Sequence, residues 1–337
     1  MTPTYTHTQT HTTHTQAHKR WIRLRSHKQV ALIFLIIFLI IISSFVAFNY
    51  FTSKTVSSDS SIIGVKVSPS VYFQLKSLSQ QGYNITNTTF LEAVYPTYYT
   101  ESLDYGGKPV VIFVGAEWCP FCGAEMWAFL IALDRFGNVS GLKYMLSSST
   151  DVYPNTPTFT LVNVSYSSKY LSLLAYEYQN RDHQPLQPVP QNIYDLWQEL
   201  GHGSIPFIYV AGLYYQVGST VSPSLLSGKN WSYAFSQLSN LSSPLAKQVY
   251  STANILTAEF CIADNNQPYN VCGITEIQML EHQLISKVTG NSEMATQIKG
   301  ILQNTPFNYG SEYSLLTPTE SRAIKQVFIV TIWKPIY

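Results

Sequence analysis

The sequence predicts an α/β protein in which a mixed sheet is flanked by helices, and three stretches of the 337-residue chain support this. Residues 108–114 are a run of β-formers with no charge after Lys108, which is typical of a buried strand. Residues 124–136 have apolar side chains at helical spacing. Residues 207–210 and 213–217, separated by Ala211 and Gly212, predict a β-hairpin at the antiparallel edge of the sheet.

Two cysteines, Cys119 and Cys122, lie where the predicted strand turns into the predicted helix. A helix N-terminus favours a thiolate, which is the reactive form of the side chain. The two-residue spacing lets one thiolate attack a disulfide while the other resolves the mixed disulfide. We expect Cys119 to attack, as the more N-terminal and more exposed cysteine, and Cys122 to resolve. Pro120 suits the first helical turn, where its missing N–H costs nothing.

The segment around the dithiol resembles the thioredoxin superfamily, with an Ala-Glu-Trp-Cys lead-in like that of thioredoxins and a Pro-Phe dipeptide closer to glutaredoxins. Ile205-Pro206 resembles the cis-proline pair that opens a core strand in that superfamily. The resemblance covers about 60–217 and implies a thioredoxin-like fold. It implies that the catalytic residues are Cys119 and Cys122 and that the substrate-binding or site-adjacent residues are Trp118, Pro120, Phe121, Ile205 and Pro206. The whole chain is similar to a membrane-anchored archaeal thioredoxin-like family of undetermined function.

One position departs from the thioredoxin pattern, because Phe113 stands where thioredoxins carry a buried aspartate that helps move protons. Glu117 is therefore the candidate for proton transfer. Glu117 and Glu125 lie close to the dithiol in sequence and disfavour a thiolate there, opposing the helix terminus. A thiol pair of low acidity favours a reductant or isomerase over a strong oxidant.

Residues 30–48 contain no charge and reach about 28 Å as a helix, which is enough to cross a membrane once. The basic residues before this segment are Lys19, Arg20, Arg23, Arg25 and Lys28, with no acid among residues 1–29. The positive-inside rule then predicts a disordered cytoplasmic tail at 1–29, an anchor at 30–50 and an extracytoplasmic chain beyond it. A cleaved signal peptide is the alternative, disfavoured because the apolar run is long and no small-x-small site follows.

The chain beyond the anchor is slightly acidic and rich in Tyr, Ser, Thr and Asn, which excludes a basic nucleic-acid-binding surface. It contains six Asn-x-Ser/Thr triplets, at Asn84, Asn87, Asn138, Asn163, Asn230 and Asn240. These triplets favour an outward-facing surface that can carry glycans.

A second cysteine pair, Cys261 and Cys272, flanks a turn-rich decapeptide between two predicted helices. The favoured interpretation is a structural disulfide that stabilises this corner by about 2–3 kcal/mol. A shuttle dithiol that exchanges electrons with Cys119 and Cys122 is the alternative. A zinc site from the four cysteines is less favoured, because no second Cys-x-x-Cys accompanies the first.

The predicted organisation places a linker at 51–62, a thioredoxin-like domain at 63–240 and a mostly helical C-terminal extension at 241–337. Within the domain, residues 142–146 predict the second core strand and residues 149–200 an insertion before the cis-proline strand. The predicted helices are 71–78, 171–178, 193–200, 231–238, 243–260, 274–288 and 294–302, and residues 327–333 predict a strand.

A group of N-terminal histidines and the single residue His202 each have a functional and a non-functional interpretation. His7, His11, His14 and His18 could bind a metal ion, but a low-complexity run of this kind is more often a flexible tail. His202 precedes Pro206 and could approach the dithiol, but a surface histidine is the favoured interpretation.

The leading functional hypothesis is an anchored extracytoplasmic thiol–disulfide oxidoreductase with no bound cofactor. Its partners would be cysteine-containing surface or secreted proteins and a redox partner that the sequence does not name. The alternative is a surface binding or structural protein with a locked Cys119–Cys122 disulfide. Delivery of a soft metal ion ranks last, because metal-delivery relatives space their cysteines differently.

Overall fold

The computed structural model describes residues 33–40, 42–43, 60–97 and 104–289. The chain divides into two compact units, residues 1–56 and 57–337. In the first unit, residues 33–40 and 42–43 are helical, and the apolar side chains from Phe34 to Ile40 are exposed. No helix among the described residues is both long enough and apolar enough to span a bilayer. The predicted tail at 1–29, much of the predicted anchor and linker, and the elements expected at 294–302 and 327–333 lie outside the described residues.

The strands of the second unit form one large mixed sheet and two small ones. In chain order they are β1 (Val94–Pro96), β2 (Asp104–Tyr105), β3 (Lys108–Gly115), β4 (Gly137–Ser140), β5 (Lys143–Leu146), β6 (Pro157–Thr160), β7 (Ser165–Ser168), β8 (Ser172–Glu177), β9 (Phe207–Val210) and β10 (Tyr214–Val217). The large sheet runs β1–β10–β9–β3, with β2 and β8 both on the far side of β3. Strand β8 is parallel to β3, and the other pairs are antiparallel. The small sheets are β4–β7 and β5–β6.

Helices cover both faces of the large sheet. In chain order they are α1 (Pro69–Ser79), α2 (Pro120–Phe136), α3 (Gln191–Gly201), α4 (Trp231–Ser239), α5 (Pro244–Ala263), α6 (Tyr269–Cys272) and α7 (Thr275–Thr289). Val111 and Phe113 of β3 lie in the core that contains α2, whereas Val110, Ile112 and Val114 pack with α3 on the other face. Both faces of β3 are therefore buried, which explains its unbroken apolar sequence.

Helix α2 lies at the centre of the larger core, and every residue in it except Phe121 is buried. A helix that is buried around its whole circumference needs other elements packed on every side. Helices α1 and α5 and strand β6 pack against it. Helix α5, in the region predicted to be a C-terminal extension, is thus part of this core.

Two sequence predictions about the sheet are wrong. Residues 143–146 form a strand, but it pairs with β6 outside the large sheet. The parallel neighbour of β3 is β8, in a stretch predicted to be helical. Residues 149–200 are therefore not an insertion, since they supply a strand of the central sheet. Leu and Ala favour helices weakly, and tertiary pairing readily overrides such preferences.

The other helices and the hairpin agree with prediction within a few residues. Helices α1, α3, α4, α5 and α7 correspond to predicted helices, and β9 and β10 form the predicted hairpin. These segments have strong helical periodicity, clear caps or both. At the start of α5, for example, the Ser243 hydroxyl accepts a hydrogen bond from Ala246 N at 3.0 Å.

Candidate dithiol site

The two cysteines of the Cys-x-x-Cys segment occupy the first turn of α2. Cys119 is the N-cap residue, and its Sγ accepts a hydrogen bond from the backbone N–H of Cys122 at 3.1 Å. Pro120 is the first helical residue, as its lack of an N–H allows. Cys119 and Cys122 are 3% and 2% exposed, so both are buried and their exposure differs little.

The thiol of Cys122 is poorly disposed to ionise. Burial is the largest reason that its pKa lies well above the usual value. The hydrogen bond and charge of Cys119, and then the charge of Glu177, raise the pKa further. A thiol in this state supplies little thiolate near neutral pH.

Gly115, the last residue of β3, lies directly beneath Cys122. A Cβ added at Gly115 would be 3.4 Å from the Cys122 Sγ and 2.6 Å from the Phe113 ring. A side chain at 115 would therefore clash with the Phe113 ring and touch the Cys122 sulfur. Phe113 stands at the position of the aspartate in the thioredoxin pattern. Its aromatic ring fills the space beside Gly115.

The Ile205–Pro206 peptide bond is cis, and Pro206 immediately precedes β9. The pairing of Phe207 with Val114 brings Pro206 to the end of β3 from which the dithiol loop departs. The Pro206 carbonyl accepts a hydrogen bond from Gly218 N at 2.8 Å. Pro206 is buried and Ile205 half-buried. Residues distant in sequence thus meet at one end of the sheet.

Glu177, at the end of β8, is a site residue that sequence analysis missed. It is the register partner of Gly115 and is fully buried. Its carboxylate accepts hydrogen bonds from the Thr160 hydroxyl and from Leu161 N. Burial, and next the charge of Glu117, raise its pKa to about 8. In the sequence, Glu177 is marked only by its place at the end of an apolar segment, 171–176. The predicted helix over 171–178 gives that position no link to the dithiol.

Glu117 is the residue that the sequence suggested for proton transfer. It is half-buried, and its charge acts on Glu177. Its pKa is raised mainly by burial, and it interacts with the Thr160 hydroxyl and with the backbone of Arg181. Glu125 instead turns away from the dithiol: it accepts hydrogen bonds from Ser219 Oγ at 2.8 Å and Thr220 N at 3.1 Å. The carboxyl that raises the pKa of Cys122 is thus Glu177 rather than Glu125.

Aromatic side chains border the dithiol on two sides. Trp118 stacks on His183 with centroids 4.6 Å apart, and its Nε1 donates to Gln179 Oε1 at 2.9 Å. Phe121 is 38% exposed, and its ring packs edge-to-face with that of Tyr153, with the ring centroids 5.8 Å apart. The histidine next to the dithiol loop is therefore His183, whereas His202 ends α3 as an exposed cap residue.

The chain that follows β8 runs alongside the dithiol loop. Tyr178 N donates to Gly115 O, and Glu117 N donates to Gln179 O, each at 3.0 Å. Ser148 N donates to Trp118 O at 2.9 Å from the other side. These backbone bonds fix the loop between β8 and the β5–β6 hairpin.

Cys261 and Cys272 form a disulfide that joins the last turn of α5 to α6. Both cysteines are buried. Among the described residues, no group of three or more His, Cys, Asp or Glu side chains is arranged to hold a metal ion. The Asn residues of the six triplets lie at the surface, Asn230 half-exposed and the others exposed.

Comparison with known proteins identifies one related family. A family model described as a domain of unknown function (DUF929) matches residues 96–262. The match includes the dithiol, Glu177 and Pro206. No curated protein and no solved structure matches the chain.

Proposed function

We propose that this protein is a thioredoxin-like thiol–disulfide oxidoreductase that exchanges disulfides with cysteine-containing surface or secreted proteins. The observation that carries the proposal is the pair of thiols in the first turn of α2, at the end of the sheet where Pro206 precedes β9. Cys119 attacks the substrate, and Cys122 resolves the mixed disulfide. The mixed sheet, with β8 parallel to β3 and the β9–β10 hairpin antiparallel, is compatible with a thioredoxin-like fold.

The Trp118–His183 stack and the Phe121–Tyr153 pair supply apolar surface on which a substrate polypeptide can lie. Extended backbone beside Pro206 would then face the cysteine of the substrate. Residues 30–50 would anchor the protein in the membrane, with residues beyond them outside the cytoplasm. An electron donor or acceptor completes the cycle.

One observation favours a second candidate function, a binding or structural protein with a permanently closed Cys119–Cys122 disulfide. Both cysteines are almost fully buried, which restricts access for a partner. Catalysis requires that Cys119 become accessible without global unfolding, and a structural bridge does not.

A trapping experiment separates these functions. The full-length chain in detergent is reduced mildly and treated with 5,5′-dithiobis(2-nitrobenzoate). We expect the Cys122→Ser variant to keep one thionitrobenzoate on Cys119, visible as a stable mass increase. The wild type should release it and close the Cys119–Cys122 bond. Cys119→Ser is the matched control and should form no resolvable adduct.

The reduction potential gives a second criterion. A catalytic dithiol should equilibrate with a dithiol buffer at a potential between roughly −270 and −120 mV. A bond that resists reduction until the protein unfolds would refute the oxidoreductase proposal. Its potential would lie below about −300 mV.

A further inference from the structure

We propose that Glu177 accepts the proton of Cys122 during resolution and that Thr160 and Glu117 carry this proton to solvent. The inference rests on the exchange activity proposed above and assigns the proton-handling groups of that reaction. The sequence suggested Glu117 for proton transfer. The proposal instead makes Glu177, at the end of β8, the main proton acceptor.

The first step of the argument is the direction in which Glu177 points. Register partners on parallel strands project their side chains to the same face of the sheet. A Cβ on Gly115 would lie 3.4 Å from the Cys122 Sγ, so Cys122 is on the face of β3 to which residue 115 projects. Glu177 is the register partner of Gly115, so its carboxyl projects to the face that carries Cys122. Ala175 and Leu173, two and four residues earlier on β8, also pack in the core on that face.

The second step is the chemical need for an acceptor. Cys122 must become a thiolate to attack the mixed disulfide, yet its burial raises its pKa well above the usual value. Water has little access to a residue that is 2% exposed. A neighbouring carboxyl with a pKa near that of a thiol is well matched to take the proton, and burial raises the pKa of Glu177 to about 8.

The third step is the route out of the core. Glu177 is buried, but its hydrogen-bond partner Thr160 also interacts with Glu117, which is half-buried. A hydroxyl both donates and accepts, and its hydrogen rotates. It can therefore take a proton from one carboxyl while it passes its own proton to the other.

Other charged groups act on this route from the elements packed around it. Lys143 of β5 lowers the pKa of Glu117, whereas Asp182, from the chain after β8, raises it. Cys122 belongs to α2, and the phenol of Tyr178, the residue after Glu177, interacts with both cysteines. The charge of Glu117 in turn raises the pKa of Glu177.

The resolving step balances as follows when the substrate is a disulfide. The Cys122 proton moves to the Glu177 carboxylate, and the Cys122 sulfur attacks the Cys119 sulfur. The Cys119–Cys122 bond forms, and the bond between Cys119 and the substrate sulfur breaks. The substrate leaves as a thiolate and takes a proton from solvent, so the enzyme dithiol is oxidised and the substrate disulfide is reduced.

Stopped-flow kinetics with 5,5′-dithiobis(2-nitrobenzoate) test the proposal on the reduced full-length chain in detergent. The first thionitrobenzoate release reports the attack by Cys119, and the second reports resolution by Cys122. For Glu177→Gln we expect roughly 100-fold slower second release at pH 7 and unchanged first release. In the wild type, the second rate should rise with pH through about 8, as Glu177 ionises. The variant should lack this titration near pH 8, and its rate should instead keep increasing with pH as the Cys122 thiolate forms.

Thr160→Val and Glu117→Gln should slow the second release by roughly 10-fold at pH 7. The reason is that most molecules must first release the Glu177 proton along the route. Thr158→Val is the matched control for Thr160→Val, since Thr158 is a buried threonine of the same strand. Glu259→Gln is the control for Glu177→Gln, because Glu259 is buried with a pKa also raised to about 8 and hydrogen-bonds to Gln216. Both controls should behave like the wild type.

The proposal is overturned if Glu177→Gln resolves within about twofold of the wild-type rate, or if Glu259→Gln slows resolution equally. Should Glu177→Gln fail to fold, Glu177→Asp and Thr160→Val decide the matter. We then expect Glu177→Asp to keep the pH-dependent rise and Thr160→Val to slow resolution, and unchanged resolution in Thr160→Val overturns the relay. Failure of the oxidoreductase proposal looks different, because the wild type would then give no first release.

Discussion

At the residue scale, the most consequential buried polar side chain is Arg135 near the end of α2. Its guanidinium donates to Ser79 O at 3.1 Å, Gln81 O at 3.2 Å, Asn254 Oδ1 at 2.7 Å and Thr257 Oγ1 at 2.8 Å. Burial lowers its pKa to about 10, so it remains charged at neutral pH. One side chain thus ties α2 to α5 and to the chain that follows α1.

We predict that Arg135→Met lowers the free energy of unfolding by about 3 kcal/mol or more. The variant leaves several buried acceptors without donors, and each costs about 1–3 kcal/mol. Urea titration followed by circular dichroism measures the loss.

Arg181→Met is the matched control, because Arg181 also donates to backbone oxygens, those of Leu146 and Ser147, but is partly exposed. Water can replace its bonds, so the loss should be about 1 kcal/mol. Equal losses in the two variants would contradict the role given to Arg135.

At the element scale, the turn after α1 depends on a glycine that contacts α5. Gly82 has φ +70°, and a Cβ there would be 2.4 Å from the ring of Tyr250. Asn254, one helical turn further along α5, donates to Gly82 O at 3.0 Å and to Ile85 O at 2.8 Å. Two side chains of α5 therefore fix this turn: the ring of Tyr250 packs on Gly82, and the amide of Asn254 donates to its carbonyl.

We predict that Gly82→Ala destabilises the protein by about 3 kcal/mol or more, from left-handed backbone strain and a clash with a buried ring. Gly64→Ala separates the two causes. Gly64 has φ +78° but nothing within 4 Å of its would-be Cβ. It should therefore show only the backbone part, about 1–2 kcal/mol. Thermal unfolding measures both, and a Gly82→Ala loss no larger than that of Gly64→Ala would rule out the clash.

At the scale of the whole molecule, several carboxyl groups are buried, and burial is the largest influence on their pKa values. Burial raises the pKa of Glu125 to about 7 and those of Glu177 and Glu259 to about 8. Among the described residues, one oxygen each of Glu125, Glu259 and Glu281 has no hydrogen-bond partner. These features suit protonated side chains, since burying an unpaired carboxylate is expensive.

We predict that the protein loses stability as pH rises. A carboxyl whose pKa is higher in the folded than in the unfolded protein binds its proton more tightly when folded. Its stabilising effect is complete below the unfolded value near 4.5 and is lost as pH rises towards 7 to 8. The melting temperature should therefore be lower at about pH 8.5 than at about pH 5, by roughly 5 °C or more.

Glu259→Gln provides the internal check on this pH dependence. Glutamine does not titrate, so the variant should show a smaller fall in melting temperature between the same two pH values. A wild-type melting temperature that stays constant or rises over this range would show that the buried carboxyls do not control stability.

Local sequence patterns were enough to predict the elements whose signals are strong. Residues 108–114 are apolar on both faces, so a central strand followed from composition alone. The cysteines at 119 and 122, Pro120 between them and the helical spacing after them defined the first turn of α2. The hairpin β9–β10 and helix α5 followed from turn and capping residues. Such signals come from side chains close together in the chain, and no distant partner is needed to interpret them.

Tertiary structure alone decided which strand lies beside β3 and which acid lies beside Cys122. Residues 172–177 carry Leu and Ala, which are compatible with a helix, and only pairing with β3 makes them a strand. That pairing brings Glu177 next to Gly115, 62 positions earlier in the chain. The same is true of His183 on Trp118 and of Arg135 between α1 and α5. Contacts between residues far apart depend on the packing of the whole core, which local sequence patterns do not encode.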